Sequence, residues 1–212
     1  MQIVIALFDR FTALDAVGPY QVLCRMTGAE VVFASQRAGV VADDARSLAL
    51  QAQASYAEVP SPDIIVVPGG PGQAGQMAPG PLQDWLLQAD KTSTWTTSVC
   101  TGSLILAGAG LLDGRRATTH WQAHDELRSL GAVPQHERYV FDGKYVTAAG
   151  VSAGIDMALA LVGRIAGDAE AQRIQLRIEY DPHPPYDAGS PATAKPEIVR
   201  SLTGESRFAA AD

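Results

Sequence analysis

Short apolar runs alternate with helical patterns along this chain, and the alternation predicts strands and helices in turn. Gln2 to Leu7 (QIVIAL) is a β-branched apolar run that reads as a buried parallel strand. Asp15-Ala16-Val17-Gly18-Pro19 leads into a helical pattern through Met26, and Val31 to Phe33 make a second strand. The polar, Ala-rich stretch from Gly39 to Glu58 predicts short strands and loops. Asp63 to Val67 is a clean apolar strand that stops at Pro68-Gly69-Gly70-Pro71-Gly72. Pro81 to Ala89 reads as a helix with Leu82, Trp85 and Leu86 on one face. Thr94 to Val99 is a strand, and at Cys100 the pattern turns at once to helix, Thr101 to Ala109. Leu112-Asp113-Gly114 is a turn. A helix opens at Thr118-Thr119-His120-Trp121, with Thr119 as its N-cap, and runs through Leu130. Tyr139 to Asp142 and Lys144 to Ala148 form a hairpin around Asp142-Gly143. Gly150-Val151-Ser152 opens a helix over Ala153 to Ala166, and Asp168 caps a last one to Ile178.

Strands alternating with helices predict an α/β fold with a mostly parallel sheet covered on both faces. Ligands of such sheets bind beyond the carboxyl ends of the strands. The Asp15 loop, the Pro68–Gly72 loop and Cys100 all fall at that edge. The chain has 212 residues, 47% hydrophobic and 18% charged, which suits one α/β domain. Its net charge is −7 and no Lys/Arg cluster offers a phosphate-binding face, so nucleic acid is not an expected partner. The apolar start gives way to Asp9-Arg10 and reads as a first strand, not a signal peptide. The apolar run around Ser103 to Leu112 is too short to span a membrane, so the expected location is cytoplasmic.

Two cysteines stand in unlike settings. Cys24 sits mid-helix beside Leu23 and reads as structural. Cys100, in Ser98-Val99-Cys100-Thr101-Gly102-Ser103, lies where a buried strand becomes a small-residue helix. A sharp strand-to-helix turn exposes its central residue, and a helix N-terminus favours the thiolate. A buried structural thiol is the competing reading. Asp15 is either a helix cap or a carboxyl at the nucleophile's edge of the sheet. Beside a thiolate its pKa would rise, and a protonated Asp could deliver a proton. Gly69 and Gly70 let backbone amides approach a ligand, as an oxyanion-type site requires, or make a tight turn. The loop lacks the GK[ST] ending of a phosphate loop. His120 and His124 are four apart without a third ligand at metal spacing, so zinc is not expected. Of the histidines only His120 is a candidate near the site, and it reads as structural before functional; His136 and His183 read as surface residues.

The segments around Cys100 and Pro68–Gly72, with Ala117-Thr118-Thr119-His120-Trp121, resemble the DJ-1/PfpI superfamily. Within it the chain is most similar to the bacterial isocyanide hydratase branch. That match extends through Leu14-Asp15-Ala16-Val17-Gly18-Pro19, Gly150 to Asp156, Gln175 to Tyr180 and Tyr186 to Pro191. The resemblance implies a flavodoxin-like three-layer α/β sandwich with the cysteine at a strand-to-helix elbow, assembled as a homodimer. It makes Cys100 the nucleophile, Asp15 its acidic partner and Thr101 the residue after the nucleophile. Gly69 and Gly70 become the oxyanion-type loop, and Gly150 and Val151 a backbone segment facing the sulfur. PfpI-type peptidases carry His directly after the cysteine; Thr101 cannot act as a base, which argues against proteolysis.

The implied reaction is hydration of an isocyanide to an N-substituted formamide through a thioimidate. It needs no cofactor, because nucleophile and acid are both protein groups. One rival is a glyoxalase-like enzyme acting on small α-oxoaldehydes. Another is a ligand-sensing domain related to AraC-type regulators, which carry a helix-turn-helix domain that residues up to Asp212 leave no room for. The expected organisation is a catalytic domain over 1–181 and a Pro-, Ala- and Ser-rich C-terminal arm over 182–212, packed on the domain or on a dimer partner.

Overall fold

The computed structural model describes residues 1–203. The chain begins β1 (Gln2–Ala6), α1 (Ala13–Leu23), β2 (Glu30–Ser35), β3 (Gly39–Ala42), β4 (Ala49–Ala52), β5 (Ala54–Ser55) and β6 (Ile64–Val67). It continues α2 (Pro81–Ala89), β7 (Trp95–Val99), α3 (Gly102–Gly108), β8 (Arg116–Ala117), α4 (His124–Ser129) and β9 (Val133–Pro134). A hairpin of β10 (Tyr139–Asp142) and β11 (Tyr145–Ala148) leads to α5 (Ala153–Ala166), α6 (Asp168–Arg177) and α7 (Pro196–Thr203). The main sheet has the order β10-β11-β7-β6-β1-β2-β5. Every neighbouring pair is parallel except β10 and β11. With helices on its faces this is the expected flavodoxin-like layering. Among the described residues no helix is long and apolar enough to cross a membrane.

The central strands form where the sequence is richest in β-branched residues, and they are buried on both faces. All four residues of β6 (IIVV) are buried, as are the last four of β1. β7 reads more polar (WTTSV) yet is just as deeply placed. Its two threonine hydroxyls are satisfied locally. Thr97 Oγ1 donates to the Ile65 carbonyl at 2.9 Å, and Thr96 Oγ1 to Asp90 Oδ1 at 2.6 Å. Asp90 also accepts from the Tyr145 hydroxyl at 2.9 Å and pairs with Lys144 at 3.1 Å. Burial, followed by these contacts to Asp90, pushes the Tyr145 pKa up to about 12. This network seals the end of the sheet opposite the candidate site.

Two local expectations are corrected. The helix after Thr119 opens as a short 3-10 turn over Trp121–Ala123, and its cap is His120. The His120 ring accepts from the Gln122 amide at 3.3 Å. The Thr119 hydroxyl is drawn elsewhere, to the Cys100 carbonyl at 3.1 Å. A buried carbonyl leaving a strand end has lost its ladder partner and takes a nearby donor. At α6 the capping position is Gly167, at φ 87°, and Asp168 is the first helical residue. In the C-terminal arm, no strand or helix precedes α7, and Gln122 Nε2 donates to the Leu202 carbonyl at 2.7 Å. The arm's expected end, 204–212, lies outside the described residues.

Candidate active site

Four adjacent parallel strands, in the order β11-β7-β6-β1, end at the same edge. Each delivers one part of the site. Past β7 comes Cys100, past β6 the Gly69-Gly70 loop, past β1 the turn into α1 with Asp15, and past β11 the Ala149-Gly150-Val151 segment.

Cys100 adopts φ 56°, the left-handed region that residues with a Cβ rarely occupy. Its surroundings hold it there. The Cys100 amide donates to the Ala149 carbonyl at 2.9 Å and the Ala148 carbonyl at 3.1 Å. Its own carbonyl accepts from Thr119 Oγ1 at 3.1 Å and Ser103 Oγ at 3.2 Å. α3 starts two residues later, so the elbow lies at a helix N-terminus, where the Leu104 amide donates to the Thr101 carbonyl at 3.0 Å. The tight entry needs glycine at Gly102, where a Cβ would stand 2.1 Å from the Val67 carbonyl oxygen.

Asp15, Cys100 and Thr101 are each 0% exposed. Asp15 lies in the first turn of α1, not at its cap, which is Thr12. Its Oδ2 accepts from the Gly69 amide at 2.9 Å. Thr101 Oγ1 accepts from the Gly70 amide at 3.0 Å. Both loop amides are therefore committed to side chains in this conformation, rather than aimed at an empty oxyanion position. The loop lies so close to the elbow that a Cβ on Gly69 would stand 2.5 Å from the Thr101 nitrogen. The loop is in turn tied to the first strand's exit, where Thr12 N donates to the Gly69 carbonyl at 2.8 Å.

A cavity of about 320 Å³ opens beside this group, and Thr119, His120, His124, Ala149, Gly150 and Val151 are among its lining residues. Cys100 is not one of them. Thr119 and Ala149, however, hydrogen-bond the Cys100 backbone, so the cavity wall and the elbow are shared. His120 packs on Gly150, where an added Cβ would stand 3.0 Å from its Cδ2. Gly150 and Val151 thus line the cavity, and Gly69 and Gly70 support Asp15 and Thr101. Sequence reasoning missed the roles of Thr119 and His124. Nothing in their spacing signals them, because each acts across the sheet edge. Among the described residues no group of three or more His, Cys, Asp or Glu is arranged to hold a metal ion.

Residues 1–164 match the DJ-1/PfpI family. The chain belongs to the DJ-1/PfpI family. It is 41% identical over 199 residues to an isonitrile hydratase of Pseudomonas putida, covering 94% of this chain and 87% of that one. The crystal structure of a THiJ/PfpI family protein from Pseudomonas syringae superposes with a TM-score of 0.93 at 33% identity, over 96% of this chain and 84% of that one. A shorter match, 36% identical over 116 residues, is to the HTH-type transcriptional regulator CdhR of Pseudomonas aeruginosa; it covers 53% of this chain and 34% of that protein. The family and fold expected from the motifs are borne out. The enzyme expected from them agrees with the first of these relatives, a hydratase by name and nearly coextensive with this chain.

Proposed function

We propose that this protein hydrates isocyanides (isonitriles) to N-substituted formamides, with Cys100 as nucleophile and Asp15 as proton donor. One observation carries the reading. The loop amides of Gly69 and Gly70 hold a buried carboxyl and a threonine around a cysteine at a strained elbow. The position after the nucleophile, which proteolytic relatives fill with a base, is occupied by a hydroxyl tied to the loop. The relative that shares 41% identity supplies the substrate class by its name.

In the proposed reaction the Cys100 thiolate attacks the terminal carbon of R–N≡C. Asp15 gives its proton to that carbon, forming the thioimidate R–N=CH–S–Cys. Water adds to the same carbon, one of its protons passing to nitrogen and the other restoring Asp15. The C–S bond then breaks, the thiolate leaves, and R–NH–CHO is released. The α3 N-terminus favours the thiolate in the first and last states. Thr101 and the Gly69-Gly70 loop act as positioning groups. The assembly we propose is a homodimer, which sedimentation velocity tests directly.

The experiment is turnover of an aryl isocyanide, followed by appearance of the formamide, with methylglyoxal assayed alongside. Cys100→Ala is expected to abolish turnover in a folded protein. Asp15→Asn is expected to lower it severely, because an amide retains the Gly69 contact but carries no transferable acid proton. Asp15→Glu retains part. Full activity in Cys100→Ala, or turnover of methylglyoxal alone, overturns the proposal.

A further inference from the structure

The polar groups around the 320 Å³ cavity are mostly engaged with one another. Thr118 Oγ1 donates to the Glu137 carbonyl at 2.9 Å, and Thr119 Oγ1 to the Cys100 carbonyl. Glu137 pairs with Arg116 at 3.2 Å, and Arg138 with Asp156. His124 differs. It is 9% exposed and lines the cavity, and among the described residues neither of its ring nitrogens has a partner at ordinary hydrogen-bond geometry. The exposed ring of His136 packs against it, edge-on with centroids 4.3 Å apart. Burial first, and the neighbouring His136 second, lower the pKa of His124, while the nearby Thr119 backbone offsets part of the lowering. Near neutral pH the ring is therefore uncharged, with one donor and one acceptor. A buried polar group without partners is costly, and such groups in native proteins call for an explanation.

We infer that this cavity receives the substituent of the isocyanide, and that His124 selects a substituent bearing a hydroxyl, which both donates and accepts a hydrogen bond. The inference rests on the hydratase reading and names its substrate class. The volume lies at the small end of ligand pockets, roughly 300–1,000 Å³. The half-buried ring of Trp121 on the wall suits a planar, aromatic substituent. The wall is continuous with the elbow through Thr119 and Ala149, so a substituent seated there brings its isocyanide carbon to the Cys100 side. A site whose buried polar group is matched by a substrate hydroxyl discriminates strongly against the analogue lacking it.

The test compares 4-hydroxyphenyl isocyanide with phenyl isocyanide, by turnover on the wild type and by calorimetric binding to Cys100→Ala. The wild type is expected to favour the hydroxyl compound by about tenfold or more in kcat/KM, chiefly through KM. His124→Leu is expected to bring that ratio close to one, and His124→Gln, which keeps a donor and an acceptor, to retain part of it. If His124→Leu does not fold, the wild-type ratio and His124→Gln decide. Equal kcat/KM and equal affinity for the two compounds overturn the subsite while leaving the hydratase reading intact. Preferential binding of the hydroxyl compound without turnover of either overturns the hydratase reading and supports the subsite. No binding and no turnover overturn both.

Discussion

The strain at Cys100 predicts near-equal stability for two variants that both lack the thiol. In an ordinary buried element, Ala→Gly costs about 0.5–1 kcal/mol in chain entropy and about 0.8 kcal/mol for the lost buried methyl group, close to 1.5 kcal/mol together. At φ 56° a residue with a Cβ carries a further penalty of about 1–2 kcal/mol that glycine does not. The two effects oppose each other at position 100 and nearly cancel. Cys100→Gly and Cys100→Ala are therefore expected to agree in stability to within about 0.5 kcal/mol. Ala107→Gly is the control. Ala107 lies inside α3, 4% exposed and right-handed, where the full cost of about 1.5 kcal/mol applies. In a protein of this size 1 kcal/mol moves Tm by about 2–4 °C. Thermal unfolding should place the two Cys100 variants within about 2 °C of each other, and Ala107→Gly about 3–6 °C below the wild type. If Cys100→Gly falls below Cys100→Ala by as much as Ala107→Gly falls below the wild type, the elbow is not held left-handed in solution. The strained-nucleophile argument then fails.

Two further predictions follow from the same contacts. Thr119→Val removes one of the two donors to the Cys100 carbonyl while Ser103 Oγ remains, so it is expected to cost about 1 kcal/mol and to lower turnover; unchanged Tm and unchanged turnover refute the assignment. His124, held neutral by burial, resists a proton that the unfolded chain accepts, so stability is complete above the ordinary histidine pKa of about 6.5 and falls as pH drops below it toward the lowered folded value. Melting at pH 7.5 and 5.5 is expected to show a smaller drop in His124→Gln than in the wild type, and equal drops contradict the reading.

Much of this fold is legible because strands buried on both faces must be nearly continuous in apolar residues. β6 shows it plainly, and the glycines and proline after it mark the chain's exit from the sheet. The elbow is legible for the same reason, since the pattern changes period at Cys100. What holds the elbow is not legible. The acceptors of the Cys100 amide come from Ala148 and Ala149, and the second donor to its carbonyl from Thr119, all distant in sequence. Thr119 illustrates the limit. A threonine ahead of a helix reads as a cap, but the buried Cys100 carbonyl just past β7 competes for the hydroxyl and wins, leaving the cap to His120. The Gly69-Gly70 loop shows another. Its amides read as donors for a ligand because glycines permit close approach, but the parallel pairing of β1, β6 and β7 decides what they meet, which is Asp15 and Thr101.

That placement has a consequence for how variants in this site are interpreted. Asp15 belongs to the β1 exit and Thr101 to the β7 exit, yet consecutive amides of one loop after β6 hold both. The loop's freedom is small, because a Cβ on Gly69 would already collide with the Thr101 nitrogen and the Gly69 carbonyl is tied to Thr12. Removing either side chain's acceptor releases an amide adjacent to the one that positions the other. Losses measured for Asp15 and Thr101 variants therefore share a cause, and groups sharing a partner do not contribute additively. An acid and an elbow on separate supports would give independent losses. Here the β6 exit loop makes the proposed proton donor and the residue beside the proposed nucleophile one mechanical unit, and a shift in either is transmitted to the other.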